Sequence, residues 1–323
     1  MTTGTKGEHL AVVGAGVIGL STAILAQDLG YKVTVYTDAP PAETTSAKAA
    51  ASFKPHEVAY NDLAHDLLVR AWTHFDRLSR EAGDACGVRR QTHWEASSLP
   101  KEKQPYFSVV EDVQLLERPH VPGGYAYGWR YTTFFIDTSV YLPWLLGQLS
   151  RKGGEVVYLR ERLDRMEDLI QLPHPTIFNC TGLGARSLCN DANVYPIKGQ
   201  IAVVAPEPAM DWSISADGFY VYPRRADTII GGTTEPHVYT ETVDRAALGL
   251  LIRAGRRILP HLTEASIVRS YAGLRPYRST TIRLEMELFD KKTIVHNYGH
   301  GGSGITLSWG SAELALNQLR QER

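Results

Sequence analysis

Gly14-Ala15-Gly16-Val17-Ile18-Gly19 places three glycines at GxGxxG spacing between a short apolar run and the start of a helical pattern. Gly14 permits a tight turn, Gly16 lets backbone approach a pyrophosphate, and Gly19 lets the helix lie close against a sheet. The helix N-terminus then presents unpaired N–H groups and a positive dipole end to phosphate. Asp38 follows 19 residues after Gly19, where an acid accepts from a ribose hydroxyl. This is dinucleotide chemistry, and the turn alone does not separate FAD from NAD. A second glycine turn, Asn179-Cys180-Thr181-Gly182-Leu183-Gly184, reads by itself as a strand-to-helix connection. A third, His300-Gly301-Gly302-Ser303-Gly304, opens the last helix and offers another set of N–H groups to an anion or dipole.

Other chemistries fail on spacing. His300-Gly301-Gly302-Ser303 is like an esterase oxyanion loop, but no G-x-S-x-G nucleophile elbow occurs. His296 and His300 stand four apart, yet Gly299 and Gly301 argue against the helix that a metal pair at that spacing needs. Cys180, at a strand end, reads as a buried and inert thiol.

The elements that must position these residues follow from periodicity. His9–Val13, a helix over Val17–Leu29 stopped by Gly30, and Val33–Tyr36 make a buried parallel βαβ unit. Asn61–Ala82 is an amphipathic helix, with Leu63, Leu67, Ala71, Phe75 and Leu78 on one side. Thr138–Lys152 is helical too, with Tyr141, Leu145 and Leu149 on one face; Pro143 is awkward there unless the helix starts late. Short strands are expected at 155–159, 176–179, 201–205, 219–222, 228–231 and 293–296, helix at 244–259, and a last helix to about Arg320. The pattern is α/β at both termini with α+β insertions between: a cofactor domain assembled from separated segments plus a sheet-rich second domain.

Composition narrows the class. The chain has 323 residues, enough for about two domains, and 34 Lys+Arg against 35 Asp+Glu leave no basic surplus for nucleic acid or membrane. Three Cys cannot all pair and none sits in a CxxC, so a reducing, cytoplasmic setting is expected. Leu10–Ala26 is uncharged but short of a bilayer span and interrupted by glycine, so it reads as strand–turn–helix and not as a leader.

Four motifs now stand in order: Val12–Thr22, Asn179-Cys180-Thr181-Gly182, Gly273-Leu274-Arg275-Pro276, and His296-Asn297-Tyr298-Gly299-His300-Gly301-Gly302. Together they resemble the D-amino-acid oxidase / D-aspartate oxidase family of FAD enzymes, over residues 8 to about 316. The resemblance implies a Rossmann-type FAD-binding domain from discontinuous segments (1–55, 137–190 and 276–323) and an α+β substrate-binding domain with a mixed or antiparallel sheet (56–136 and 191–275). It implies FAD with its pyrophosphate over Gly14–Gly19, Asp38 near the adenosine ribose, and Thr44, Thr45, Ser46, Ala50 and Ala51 running beside pyrophosphate and flavin. Thr181 and Gly182 belong to the same set. Gly301, Gly302, Ser303, Gly304, Ile305 and Thr306 match the segment that caps the pyrimidine end of the ring.

By the same resemblance Arg275 clamps the substrate carboxylate, Tyr220 reaches it with its hydroxyl, and the Gly302 carbonyl accepts from the amine. Tyr222 is expected on the opposite strand face. The implied reaction is hydride transfer from Cα to flavin N5, giving an imino acid that hydrolyses to a 2-oxo acid and ammonia, with O2 reduced to H2O2. The implied partners are a D-amino acid and O2, with a homodimer left open and no nucleic acid or membrane.

Departures from the family set further expectations. The connection between Gln200 and Tyr220 is short, so no lid with a second tyrosine is expected there; the Gln321-Glu322-Arg323 end lacks an SKL-type peroxisomal signal. Pro55-His56 resembles D-aspartate oxidases, and Lys54 is placed to attract a second carboxylate. However, Gly231-Gly232-Thr233 is followed by Thr234 where those enzymes carry arginine. Neutral, fairly broad D-amino acids are therefore favoured, ahead of a D-aspartate oxidase or a glycine/sarcosine-type amine oxidase. A nicotinamide-dependent dehydrogenase and a catalytically silent nucleotide-binding protein would share the first turn only.

Overall fold

A computed structural model describes residues 7–321. Six strands form one sheet in the order Arg283–Phe289, Lys292–Tyr298, Thr176–Asn179, His9–Val13, Lys32–Thr37, Glu155–Tyr158. The last five run parallel; Arg283–Phe289 pairs antiparallel at the edge. Alternation along His9–Val13 splits its side chains between two cores. Leu10 and Val12 face the helices Val17–Asp28, Thr138–Arg151 and Gly304–Gln321, while Ala11 and Val13 join Leu169, Ile177 and Ile294 on the other side.

Ten strands form the second sheet, and its strands are antiparallel apart from the parallel pairing of Val88–Ser97 with Ser213–Ala216. One face packs on the helix Arg245–Gly255, through Leu248, Leu251 and Ile252 against Ala202, Val221 and Ile230. The opposite face carries Tyr220 and Tyr222. Two strands cross the expected domain borders: Ala51–Ser52 pairs in this sheet, and Arg269–Arg278 runs through it to residue 278.

Local signals worked as physics requires. Asn61 caps Asp62–Glu81, its Oδ1 accepting from Ala64 N at 2.9 Å, and Leu67, Leu68, Ala71, Phe75 and Leu78 are buried. That helix lies so close to Gly304–Gln321 that a Cβ on Gly310 would sit 2.0 Å from the Leu67 carbonyl oxygen. The helix expected over Thr138–Lys152 runs Thr138–Arg151 and tolerates Pro143, because Asp137 caps it and Tyr141, Leu142, Leu145 and Leu149 bury one face, outweighing the hydrogen bond that proline cannot donate.

Before Tyr220 the chain reverses in two residues, Asp217 and Gly218, both at positive φ (41° and 90°), the conformation of a tight hairpin turn. Ser97 and Ser98 hold the Asp217 carboxylate. No helix among the described residues is long and apolar enough to cross a membrane.

Candidate active site

A cleft of about 740 Å³ runs from the end of Lys32–Thr37, past all three glycine turns, to the face of the larger sheet that carries Tyr220 and Tyr222. At one end stand Gly14, Ala15, Gly16, Val17, Ile18, Asp38, Thr44, Thr45, Ser46, Thr181 and Gly182. Gly14 has φ +108°, and a Cβ there would meet the Cys180 carbonyl oxygen at 2.4 Å, so the first and second glycine turns touch. The helix Val17–Asp28 begins at Gly16 with no side-chain N-cap and no acid in its first turn, although Ser46 Oγ accepts from Val17 N at 3.0 Å.

Further along, Ala50, Ala51, Gly301, Gly302, Gly304, Ile305 and Thr306 line the walls. Asn297 and His300 are buried against the same cleft. Both amide atoms of Asn297 and the His300 Nε2 lack a hydrogen-bond partner. Unpaired polar groups of this kind are costly unless something supplies the missing bonds. With the uncapped helix start, they fit an elongated, anionic, hydrogen-bonding group such as a flavin dinucleotide.

Two of the expected residues stand behind the wall. Gly19 is needed for packing, since a Cβ there would lie 1.9 Å from the Gly14 carbonyl oxygen. The Ser303 hydroxyl is buried and binds the His56 backbone twice, accepting from its N and donating to its O, each at 2.8 Å. It fastens the 54–57 segment to the third glycine turn.

At the other end the strand registers build a row. Glu95 pairs with Ser215, Ser215 with Tyr220, Tyr220 with Gly231, Gly231 with Ile201, and Ile201 with Tyr271. Arg275, four residues past Tyr271, shares its face. Its guanidinium donates from Nη1 to Thr233 O at 3.1 Å and is close enough to the Tyr220 hydroxyl to act on it electrostatically. Burial raises the Tyr220 pKa above its ordinary value against the opposing pull of Arg275, so the phenol stays protonated. Two glycines make the room. A Cβ on Gly199 would meet Arg275 Nη2 at 2.2 Å, and one on Gly231 would meet the Tyr220 hydroxyl at 2.3 Å. A Cβ on Gly302 would come within 2.7 Å of the His56 ring and 3.3 Å of Arg275 Cδ, so these three residues converge. Tyr222 corrects an expectation. Residues two apart on a strand share a face, and its ring stacks on Tyr220 with centroids 4.4 Å apart.

Lys54 lines the cleft but is not a free cation. Its Nζ donates to Glu95 Oε1 at 3.0 Å, and Tyr131 donates to the same oxygen at 3.1 Å, as does Tyr106. Burial would lower the Lys54 pKa, but Glu95 outweighs it and holds it above the ordinary value. Burial would likewise raise Glu95, yet Lys54, His93 and the Tyr106 hydrogen bond bring it down to about 2. His56 falls to about 3, through desolvation first and then Arg275 and Lys54, so it is neutral at working pH.

A folded-state pKa below the ordinary carboxylate value stabilises the protein above about pH 4.5, and that stability disappears as pH falls toward 2. Between pH 5 and 2 the wild type is expected to lose on the order of 2–3 kcal/mol more than a Lys54→Met/Glu95→Gln variant. Denaturant melts across that range test this, and parallel losses in the two proteins would contradict it.

Residues the sequence did not single out include Glu95, Ser215, Gly199 and Arg162, the last lining the cleft beside Gly184. A glycine inside a strand marks a close approach, which was the available signal for Gly199.

Comparison with known proteins finds relatives over nearly the whole chain. Residues 9–318 match the family model described as DAO, FAD dependent oxidoreductase. A D-amino-acid oxidase of Rubrobacter xylanophilus is 35% identical over 321 residues, covering 97% of each chain. A D-aspartate oxidase of Homo sapiens is 32% identical over 328 residues, covering 94% of this chain and 92% of its own. Among solved structures, glycine oxidase from Geobacillus kaustophilus superposes with a TM-score of 0.81 at 18% identity, covering 98% of this chain and 95% of that one. That likeness is one of fold. A glycine-turn cleft, a match over nearly the whole chain and relatives at this identity together place the chain in the DAO family of FAD-dependent oxidoreductases.

Proposed function

We propose that this protein is a D-amino-acid oxidase that binds FAD through the 1–55, 137–190 and 276–323 segments and its substrate against the 56–136 and 191–275 segments. FAD, when bound, supplies an oxidised ring that accepts a hydride and passes its electrons to O2. The chain's own residues do the positioning. The observation that carries the reading is the Arg275 guanidinium, seated in the space left by Gly199, tied to Thr233 O and set beside Tyr220 inside the cleft.

A planar guanidinium receives both oxygens of an α-carboxylate, and the Tyr220 hydroxyl adds a third contact. The Gly302 carbonyl accepts from the α-amine. With the carboxylate and the amine both fixed, the two enantiomers exchange the directions of Cα–H and side chain, which is how the site tells D from L and provides the proximity that lowers the barrier. An amine that arrives neutral needs no side-chain base, and neutral His56 adds no charge beside the carboxylate clamp. The imino acid then takes up water and releases ammonia and a 2-oxo acid, while O2 becomes H2O2.

Neutral side chains are favoured because Lys54 is already paired with Glu95, and Thr234 stands where an arginine would serve an acidic substrate. A second carboxylate would enter without a free cationic partner. The three unpaired thiols suit a reducing cytoplasm.

The test is colour. Purified protein should be yellow and should bleach anaerobically with a D-amino acid but not its L enantiomer; an L-selective or amine-insensitive flavin would overturn the reading.

A further inference from the structure

The far side of the cleft carries a second pair of matched groups. All hydrogen bonds reaching the Glu95 carboxylate fall on Oε1, from Lys54, Tyr106 and Tyr131. Oε2 takes none of them. It is not among the buried atoms without a partner, and Glu95 lines the cleft, so this oxygen faces the cavity as a charged acceptor. Lys54 also lines the cleft and commits one of its three N–H donors to Glu95. A donor and an acceptor of opposite charge thus stand side by side, and their charges cancel.

Their place in the sheet sets the reach. Glu95, Ser215 and Tyr220 are register neighbours, so two strand spacings, about 10 Å, separate the Glu95 and Tyr220 backbones. Arg275 approaches Tyr220 from the opposite side, and His56 feels Arg275, Lys54 and Glu95 together. A substrate held at Arg275 therefore occupies the same cleft as the pair, and the Glu95 strand lies on the other side of Tyr220.

We infer that the Lys54–Glu95 pair reads the substrate side chain and selects D-amino acids ending in a primary carboxamide, whose oxygen accepts from Lys54 Nζ and whose NH2 donates to Glu95 Oε2. The inference rests on the D-amino-acid oxidase reading and adds the substrate class. A carboxylate in the same place meets Glu95 Oε2, an ammonium meets Lys54, and an alkyl end leaves donor and acceptor without partners. A site built to hydrogen-bond rejects such isosteres more strongly than a hydrophobic pocket rejects a polar one.

The experiment compares D-Asn with its isosteres D-Leu and D-Asp, and D-Gln with D-Met and D-Glu, on flavin-loaded enzyme. At least one carboxamide should exceed its alkyl and acidic counterparts in kcat/KM by about tenfold or more. Calorimetry supplies a readout without turnover: succinamate, which is asparagine without its amine, should bind about tenfold tighter than isocaproate, its leucine counterpart. In Lys54→Met/Glu95→Gln, which removes both charges together, both ratios should fall toward one. The inference is overturned if D-Leu and D-Met match the carboxamides, or if a folded, flavin-loaded double variant keeps the wild-type ratios. Should that variant lose flavin, the two wild-type ratios decide. If no D-amino acid reduces the flavin, the broader reading fails; if D-Leu does and the carboxamides lag, only the substrate class fails.

Discussion

Replacing Arg275 by leucine is expected to lower kcat/KM for every D-amino acid by about 10²–10⁴ while flavin stays bound. Removing one partner of a desolvated ion pair costs about 3–5 kcal/mol, and each 1.36 kcal/mol is about a factor of ten in rate. The Arg275 guanidinium is half-buried, held by Thr233 O and set against Tyr220, so its fork is oriented before substrate arrives. Arg275→Lys should recover only part of the loss, because an ammonium keeps the charge without the planar pair of donors. The 450 nm region of the flavin spectrum and a thermal melt establish that the variant is loaded and folded. Turnover close to wild type in a yellow Arg275→Leu protein would remove Arg275 from the site.

Much of what positions that arginine was legible, and the reasons differ by element. His9–Val13 declared itself by its apolar run Leu10–Val13, as a parallel strand buried on both faces requires. Asp62–Glu81 showed its apolar face. The strand bearing Arg275 showed neither. Arg-Ser-Tyr-Ala-Gly-Leu-Arg-Pro-Tyr-Arg has no apolar alternation, and it is a strand because a ten-residue ladder with Val194–Val203 makes it one. From the residues alone Arg275 reads as a surface ion pair; only the Gly-Leu-Arg-Pro resemblance separated it.

Glu95 was invisible for a related reason. One acid in a strand has no meaning until Lys54, 41 residues earlier, is folded against it. Tyr222 was misjudged by a lapse in period, since two residues along a strand return to the same face. The Gly199 and Gly231 spaces are properties of pairs of strands, and no single segment encodes them.

Gly199→Ala turns that hidden dependence into a result: kcat/KM should fall by about 10², with the fold and flavin intact. The added Cβ would stand 2.2 Å from Nη2, 2.5 Å from Cζ and 2.7 Å from Nη1, which are three atoms of one guanidinium and none of the backbone. A flexible side-chain end yields before a ten-residue ladder does, so Arg275 moves away from Tyr220 and Thr233. A misplacement of about 1 Å costs roughly 10²-fold in an oriented reaction. Gly199 is not at positive φ, so alanine is unstrained there, and a stiffer unfolded chain should leave stability unchanged or higher by about 0.4–1 kcal/mol. A gain or tie in melting temperature beside a loss in catalysis is a signature that general destabilisation cannot produce. The double variant Gly199→Ala/Arg275→Leu sharpens the test. If both changes act through the same guanidinium, alanine adds little once leucine is present, because coupled sites are not additive. An alanine variant with wild-type kcat/KM, or one whose full effect reappears on top of Arg275→Leu, would show that the space at Gly199 does not set the clamp.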